Sequence, residues 1–594
     1  MSPPGGAPRR VPVGRVGIVW LVLGTILIVR SLSGIVEYRF HDPDDMLRLV
    51  QVRDLLAGQA WFDLHQYRID GPDGTLMHWS RLVDIPLAST VGLFAPLIGH
   101  AAAEQVAIVG IPLLTLALVL LTVAWTASRW LDREGTTLAC LCIGLSPVLM
   151  AQVAPLRIDH HGWQILAAVL AIGGLSLGIR SRGAVLAGVA LAFGLAISIE
   201  VIPIVAAFGA VFALRWLRDG VTRTPLVAFL VTLAAASTAL FLGTRGFVDL
   251  AQHCDVVAPA HLGFFAILAA GASGVALVRP RSRLLLMCLL AAPVAIALGS
   301  YLWMAPECAS GPFAGMDPLV REFWYENVSE GRPIWRLNPT LWGPIVAHGL
   351  VALSALAYLS WRSAGSERLW WLEYLLVFAV TLATGLLVWR SLAFVGALSA
   401  IPLGWLAGHM FKAFRAAEKP WHKIAIAVSL MLALAPGLPV LAATAAFPQK
   451  PDDEEQASKA AECRLAGSME PLNGLDPAKL FAPLDLGPAL LLQTRHSVAA
   501  TGHHRATKAM SGVVGAFLGS PDEAYRIVQD SGAQYVVICA ELPEVQLYRD
   551  ENPEGFASML IANEAFDWLE PVAIELPPLF KVWRVKPEPP DGGK

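Results

Sequence analysis

Residues 39–84 read RFHDPDDMLRLVQVRDLLAGQAWFDLHQYRIDGPDGTLMHWSRLVD and follow an apolar run at 15–35. A stretch so crowded with acids, imidazoles and aromatics does not share the hydrocarbon with the run before it. It reads as an outside loop, 36–84. Its first half predicts a helix: Asp42 suits the cap, Pro43 the first helical position, and Asp44 and Asp45 the first turn, where the helix dipole favours negative charge. Gly58 stops it. Met46, Leu47, Leu49, Val50, Leu55 and Leu56 give a broad apolar side, suited to a membrane surface or to packing on other helices. Capping explains one or two of the three acids; the rest of the argument lies downstream.

The 594 residues are 55% hydrophobic and 15% charged, with mean hydropathy +0.57, which defines a polytopic membrane protein. A net charge of -3 and a pI near 6.5 exclude a nucleic-acid partner. Runs long enough to cross about 30 Å of hydrocarbon fall near 15–35, 104–128, 136–154, 161–179, 183–199, 201–214, 225–244, 258–278, 284–304, 341–361, 371–389, 391–411 and 422–444. That is about thirteen spans. Segment 85–100 is apolar but reads as re-entrant or interfacial. The first run lacks a small-residue cleavage site and reads as an uncleaved span.

Positive charge alternates between the short loops. One set carries Arg9, Arg10 and Arg15; Arg129 and Arg133; Arg180 and Arg182; Arg215, Arg218 and Arg223; Arg279, Arg281 and Arg283; Arg362 and Arg368; and Lys412, Arg415, Lys419 and Lys423. The positive-inside rule puts that set and the N-terminus in the cytoplasm. The other set, including a long loop at 305–340, then faces out. With an odd number of spans the tail is exported, dividing the chain into a membrane domain, 1–444, and an extracytoplasmic domain, 445–594. The tail opens with a polar linker containing PDDEEQ. It continues with strand, turn and helix patterns, from FAPLDLG to LFKVWRV, that predict a small α/β domain. Cys254, Cys308, Cys463 and Cys539 fall in outside segments, where a disulfide between two of them can form.

The unusual polar residues gather in the outside set. APLRIDHHGWQ places Arg157, Asp159, His160 and His161 in one tight turn at a membrane surface, where ionisable residues are usually functional; Asp159 also suits a cap. Glu200 lies in SIEVIP, and Glu330 in irregular chain before Gly331 and Pro333. Arg390 separates two spans and suits a clamp for phosphate oxygens. Carboxylates from several loops, with arginines nearby, suit a divalent cation and a phosphorylated substrate. Oxygen ligands favour Mg²⁺ or Mn²⁺ over zinc, with His161 as a further ligand.

In their order and sidedness these residues resemble the GT-C superfamily of polytopic glycosyltransferases, most nearly the catalytic subunit of oligosaccharyltransferase. That family has thirteen spans, an exported C-terminal domain, an acidic motif in the first outside loop and a second Asp motif between spans three and four. It also has a Glu in a Ser-Val-x-Glu or Thr-Ile-x-Glu motif ending a long outside loop, and an Arg between spans eleven and twelve that holds the lipid pyrophosphate. The matching positions are Asp44, with Asp42 and Asp45 as alternates, in HDPDDMLRL; Asp159 with His161 in RIDHH, His160 beside them; Glu330 in NVSE, with Glu200 as alternate; and Arg390 in VWRS.

The resemblance implies catalytic and metal-holding roles for Asp44, Asp159 and Glu330, and a donor-phosphate role for Arg390, with Arg157 beside it. The family's Trp-Trp-Asp-Tyr-Gly motif is replaced by Pro483, Leu484, Asp485, Leu486 and Gly487. The aromatic wall that reads an Asn-x-Ser/Thr acceptor is therefore missing. Asp485, His504 and Arg505 are the acceptor-side candidates, for a glycan, a lipid or another protein segment.

The expected activity is transfer of a sugar or oligosaccharide from a polyprenyl phosphate or pyrophosphate, at the outer face of a bacterial inner membrane, with the C-terminal domain periplasmic. The rivals are a transporter or flippase, which would show paired repeats and midplane breaks, and a non-catalytic subunit of a polysaccharide assembly complex.

Overall fold

The computed structural model describes residues 10–438 except 41, 179, 180, 221, 281 and 314, together with 463 and 468–586. Arg9, Arg180 and Arg281 of the basic loops, the end of the last expected span, and the PDDEEQ linker lie outside the described residues. The chain is an all-α polytopic bundle followed by a small α/β unit. Ten helices among the described residues are long and apolar enough to cross a membrane, and three shorter apolar helices accompany them, His161–Leu175, Ser181–Ile197 and Pro420–Leu434.

Two details differ from the plain hydropathy reading. The run at 136–154 is not one helix but two, α5 (Arg133–Ile143) and α6 (Pro147–Gln152). Gly144 ends the first, and Ser146 caps the second with Pro147 at its start, so local chemistry overrides the apolar average. The second detail is segment 85–100, which belongs to an 18-residue helix, α3 (Arg81–Ile98).

The ends of α3 show where it runs. Near its start, Asp84 accepts from Arg48 and Gln51 of α2 (Pro43–Leu56) at 2.9 and 2.8 Å. Just past its end, α4 (His100–Ala127) begins, and Glu104 is gripped there by Arg53 of the same α2 at 2.8 and 2.7 Å and by Tyr38 at 2.9 Å. Eighteen residues at 1.5 Å each reach about 27 Å one way. Both ends of α3 are thus tied to the one helix α2, and α3 is itself one of the ten helices long and apolar enough to cross.

Helix α2 is packed rather than laid on lipid. Asp45 through Val52 are buried, between α3 and the C-terminal unit. Arg53 donates to the Leu492 carbonyl at 2.9 Å and Arg68 to that of Thr494 at 2.8 Å, so the first loop and the C-terminal unit form one body. Underneath lies a buried charge network: Asp84 between Arg48 (2.9 Å) and Arg81 (3.2 Å), with the Arg48 guanidinium 4.7 Å from the Trp79 ring. Asp84→Ala would leave two guanidiniums buried without their counter-charge. The expected result is a loss of about 3–5 kcal/mol, read as a lower midpoint of thermal unfolding in detergent.

The C-terminal unit is a five-stranded mixed sheet in the order β4 (Ser497–Val498), β3 (Lys479–Phe481), β5 (Tyr535–Cys539), β7 (Phe580–Val585), β6 (Leu569–Pro571). β3 pairs parallel with β4 and β5, and β7 runs antiparallel to β5 and β6. One face packs on α2 and the other on helices 507–518 and 556–562. The four cysteines expected outside form two disulfides, Cys254–Cys308 and Cys463–Cys539.

Candidate active site

Asp42 caps α2, accepting from the Asp44 N–H at 2.9 Å, as the local sequence dictates. Its second oxygen binds Arg157. Asp45, fully buried, shapes the second motif. One oxygen accepts from the backbone N–H groups of Ile158 and Asp159, at 2.8 and 2.9 Å, and the other meets Arg157 at 3.1 Å. Gln152 holds the far side of that guanidinium at 2.9 Å. Asp45 and Arg157 therefore build the turn 157–161 against the start of α2. Asp44 makes none of these bonds; it is half-buried among Asp42, Asp159, Glu330 and Arg390.

Asp159 is 7% exposed. One oxygen accepts from the His161 N–H at 2.8 Å, while Oδ2 is buried without a hydrogen-bond partner, 3.4 Å from His161 Nε2 and 3.7 Å from Arg157. Nδ1 of His160 is likewise buried without a hydrogen bond, 3.4 Å from the other Asp159 oxygen. On the other edge of the His161 ring, Nδ1 lies 3.2 Å from Gln164 Oε1, which orients the ring and leaves Nε2 toward Asp159. Asp159, His160 and His161 each offer an atom within 4.8 Å of the others, as a metal ion requires.

The third loop closes the cluster through Arg390. Its guanidinium pairs with Glu200 and lies 3.8 Å from Glu330, and the neighbouring Trp389 N–H donates to the Arg332 carbonyl at 3.0 Å, tying the two segments together. Among the described residues, the arginines paired with these carboxylates (Asp42, Asp44, Asp45, Asp159, Glu200 and Glu330) are Arg157 and Arg390. Carboxylates in excess, two orphaned ligand atoms and a positioned imidazole fit a divalent cation.

The electrostatics follow from that crowding. Burial, then the charges of Asp42, Asp159 and Glu330, push the Asp44 carboxyl well above its usual range. Burial and Asp42 raise Glu330 to about 7. Burial alone would raise Asp159 too, but its imidazole neighbours and Arg157 outweigh it and hold the carboxyl below the usual range. Since burial also brings His160 down to about 3, that ring is neutral at pH 7. Arg157 is the arginine beside Asp159, and the His161 N–H adds a hydrogen bond.

Asp44, Asp159, His160, His161, Glu330 and Arg390, with Glu200, Asp42, Asp45 and Arg157, are electrostatic neighbours in one cluster; among the described residues, Asp159, His160 and His161 are those whose ligand atoms come within 4.8 Å of one another, and Asp44 and Glu330 lie outside that group. The contacts of the acceptor-side candidates run elsewhere. The Asp485 N–H donates to Glu544 at 2.7 Å, and His504 and Arg505 bind Asp255 at 2.8 and 2.9 Å. Gln152 and Gln164 went unread in the sequence; Gln164 carries a local signal, three residues after His161 on one helix face.

No family model matches the chain, and no curated protein does. Solved structures do. The archaeal oligosaccharyltransferase AglB from Archaeoglobus fulgidus, in complex with an inhibitory peptide and a dolichol-phosphate, superposes with a TM-score of 0.67 at 12% identity, over 94% of this chain and 72% of that one. The Archaeoglobus fulgidus oligosaccharyltransferase in the apo form gives 0.68 at 13%, over 95% and 74%. Its complex with Zn and sulfate gives 0.58 at 12%, over 95% and 75%. At such identities what is shared is the fold, and in fold this chain is similar to archaeal oligosaccharyltransferase.

Proposed function

We propose that the chain is a glycosyltransferase of the GT-C type that moves a sugar or oligosaccharide from a polyprenyl phosphate or pyrophosphate to an acceptor, at the outer face of a bacterial cytoplasmic membrane. The observation that carries this reading is the meeting of Asp44, Asp159 and Glu330, from three separate loops, with Arg390 at one face of the bundle. Asp44, Asp159 and Glu330, with His161, hold the cation, and the nitrogen ligand favours Mn²⁺ over Mg²⁺. Such a cation offsets negative charge on a departing phosphate.

This chain's own groups do the rest. Arg390 presents a planar guanidinium to the phosphate oxygens, exchanging part of its pairing with Glu200 and Glu330 for them. Glu330 has two carboxylate oxygens, one for the cation and one to accept the acceptor's proton. Arg157 stands beside Asp159 and keeps the turn in place. Leu484 and Leu486 are buried in the C-terminal unit and supply no aromatic wall, which supports an acceptor other than an Asn-x-Ser/Thr segment: a glycan, a lipid or a different protein segment.

The test uses detergent-purified protein stripped with a chelator and assayed with a lipid-linked donor, each cation being restored in turn. Mass spectrometry of surface glycans and lipid-linked intermediates in a deletion strain identifies that donor. Activity should vanish in chelator and return with Mn²⁺ or Mg²⁺. Full turnover in chelator would refute the metal-dependent reading.

A further inference from the structure

A second cluster of metal-binding side chains lies apart from the carboxylates. It joins three segments: His78 from the chain between β2 (Thr75–Leu76) and α3, Asp255 from the connection between α10 (Thr224–Thr244) and α11 (Pro259–Val278), and His504 from the C-terminal unit. One ligand atom from each lies within 4.8 Å of the others. His504 Nε2 is 2.8 Å from Asp255 Oδ2, and the His78 and His504 rings are 4.8 Å apart between centroids.

The groups around them are those a metal site needs. His78 Nδ1 is 2.8 Å from His503 Nε2, which fixes the ring and leaves Nε2 of His78 free to coordinate. His503 is itself 2% exposed, with its Nδ1 unpartnered. Arg505 grips both oxygens of Asp255 at 2.9 Å. That leaves a lone pair on Oδ1 for a cation, and one on Oδ2 once metal binding releases the proton shared with His504 Nε2. Arg245 donates to the His78 carbonyl at 2.8 Å, and the Cys254–Cys308 disulfide anchors the residue next to Asp255.

We propose that His78, Asp255 and His504 form a transition-metal site, for Zn²⁺ or a similar ion, that clasps the C-terminal unit to the membrane part. Two imidazoles and one carboxylate select zinc, cobalt or nickel over magnesium and calcium. With ligands about 2 Å from the ion, the set closes by moving side chains about 1 Å, and a water completes the fourth position. The ion links residues more than 400 positions apart, so its binding energy adds to the docking of the C-terminal unit. The site stands whether or not the chain transfers sugar, because it shares no ligand with the carboxylate cluster.

The experiment titrates Co²⁺, then Zn²⁺, into chelator-treated full-length protein carrying Asp159→Ala, so that the carboxylate cluster does not contribute. The expected result is about one equivalent of cobalt with the visible bands of a four-coordinate ion, displaced by zinc, and a higher thermal midpoint with zinc. His78→Gln and His504→Gln should each weaken binding by more than about 100-fold, beyond what loss of an outer partner costs. Asp255→Asn, which keeps its contact with His504, serves if either fails to fold. Absence of bound cobalt in the Asp159→Ala protein, or affinity unchanged in the histidine variants, would overturn the proposal.

Discussion

Asp159→Ala is expected to lower transfer by about 10³-fold, close to 4 kcal/mol in the barrier, with the protein still folded. The folding claim rests on who builds the turn: the carboxylate that receives the Ile158 and Asp159 N–H groups is Asp45. Asp159 contributes one acceptor, for the His161 N–H, whose loss costs about 1 kcal/mol. Its other oxygen is buried without a hydrogen bond, 3.4 Å from His161 and 3.7 Å from Arg157, a costly arrangement unless a cation repays it. Asp44→Ala should behave the same way, and the double variant should be no worse than either single, because members of one catalytic unit are not additive. Asp42→Ala should differ, losing a cap worth about 1 kcal/mol and one partner of Arg157 while keeping most turnover. Normal transfer by Asp159→Ala, measured with donor in excess, would return that carboxylate to a capping role.

The contrast between these acids shows what a sequence conveys. The cap at Asp42 and the first-turn acids are local chemistry and were legible, as were the helical runs and the strand, turn and helix units of the C-terminal part. The work of Asp45 was not: its partners lie 113 and 114 residues away, and nothing near it distinguishes it from Asp44. Glu200 looked like an ordinary loop acid until the fold set Arg390 against it. The histidines at 503 and 504 had no visible partners, since His78 and Asp255 approach only when the C-terminal unit docks. Hydropathy failed in one place for a different reason. A window averaged across Gly144, Ser146 and Pro147 hides a break that these residues announce individually.

Arg390 decides whether the cluster grips a phosphate or merely balances its own charges. Arg390→Lys keeps the charge but loses the planar fork, so donor KM should rise about 10-fold or more, with kcat less affected. Arg390→Ala goes further. It strips Glu200 of its ion-pair partner and leaves Arg157 as the arginine still acting on Glu330, and transfer should fall by about 10²- to 10³-fold while the thermal midpoint drops. Those two losses have separate origins, and adding Glu200→Gln separates them. Removing the unpaired carboxylate should restore the midpoint and leave transfer as low as before, since the phosphate still lacks its clamp. If instead Arg390→Ala binds donor as tightly as the unaltered protein, or if the double variant recovers turnover along with stability, the guanidinium serves only to pin the loops of Glu200 and Glu330 together, and the phosphate is held by Arg157 and the cation.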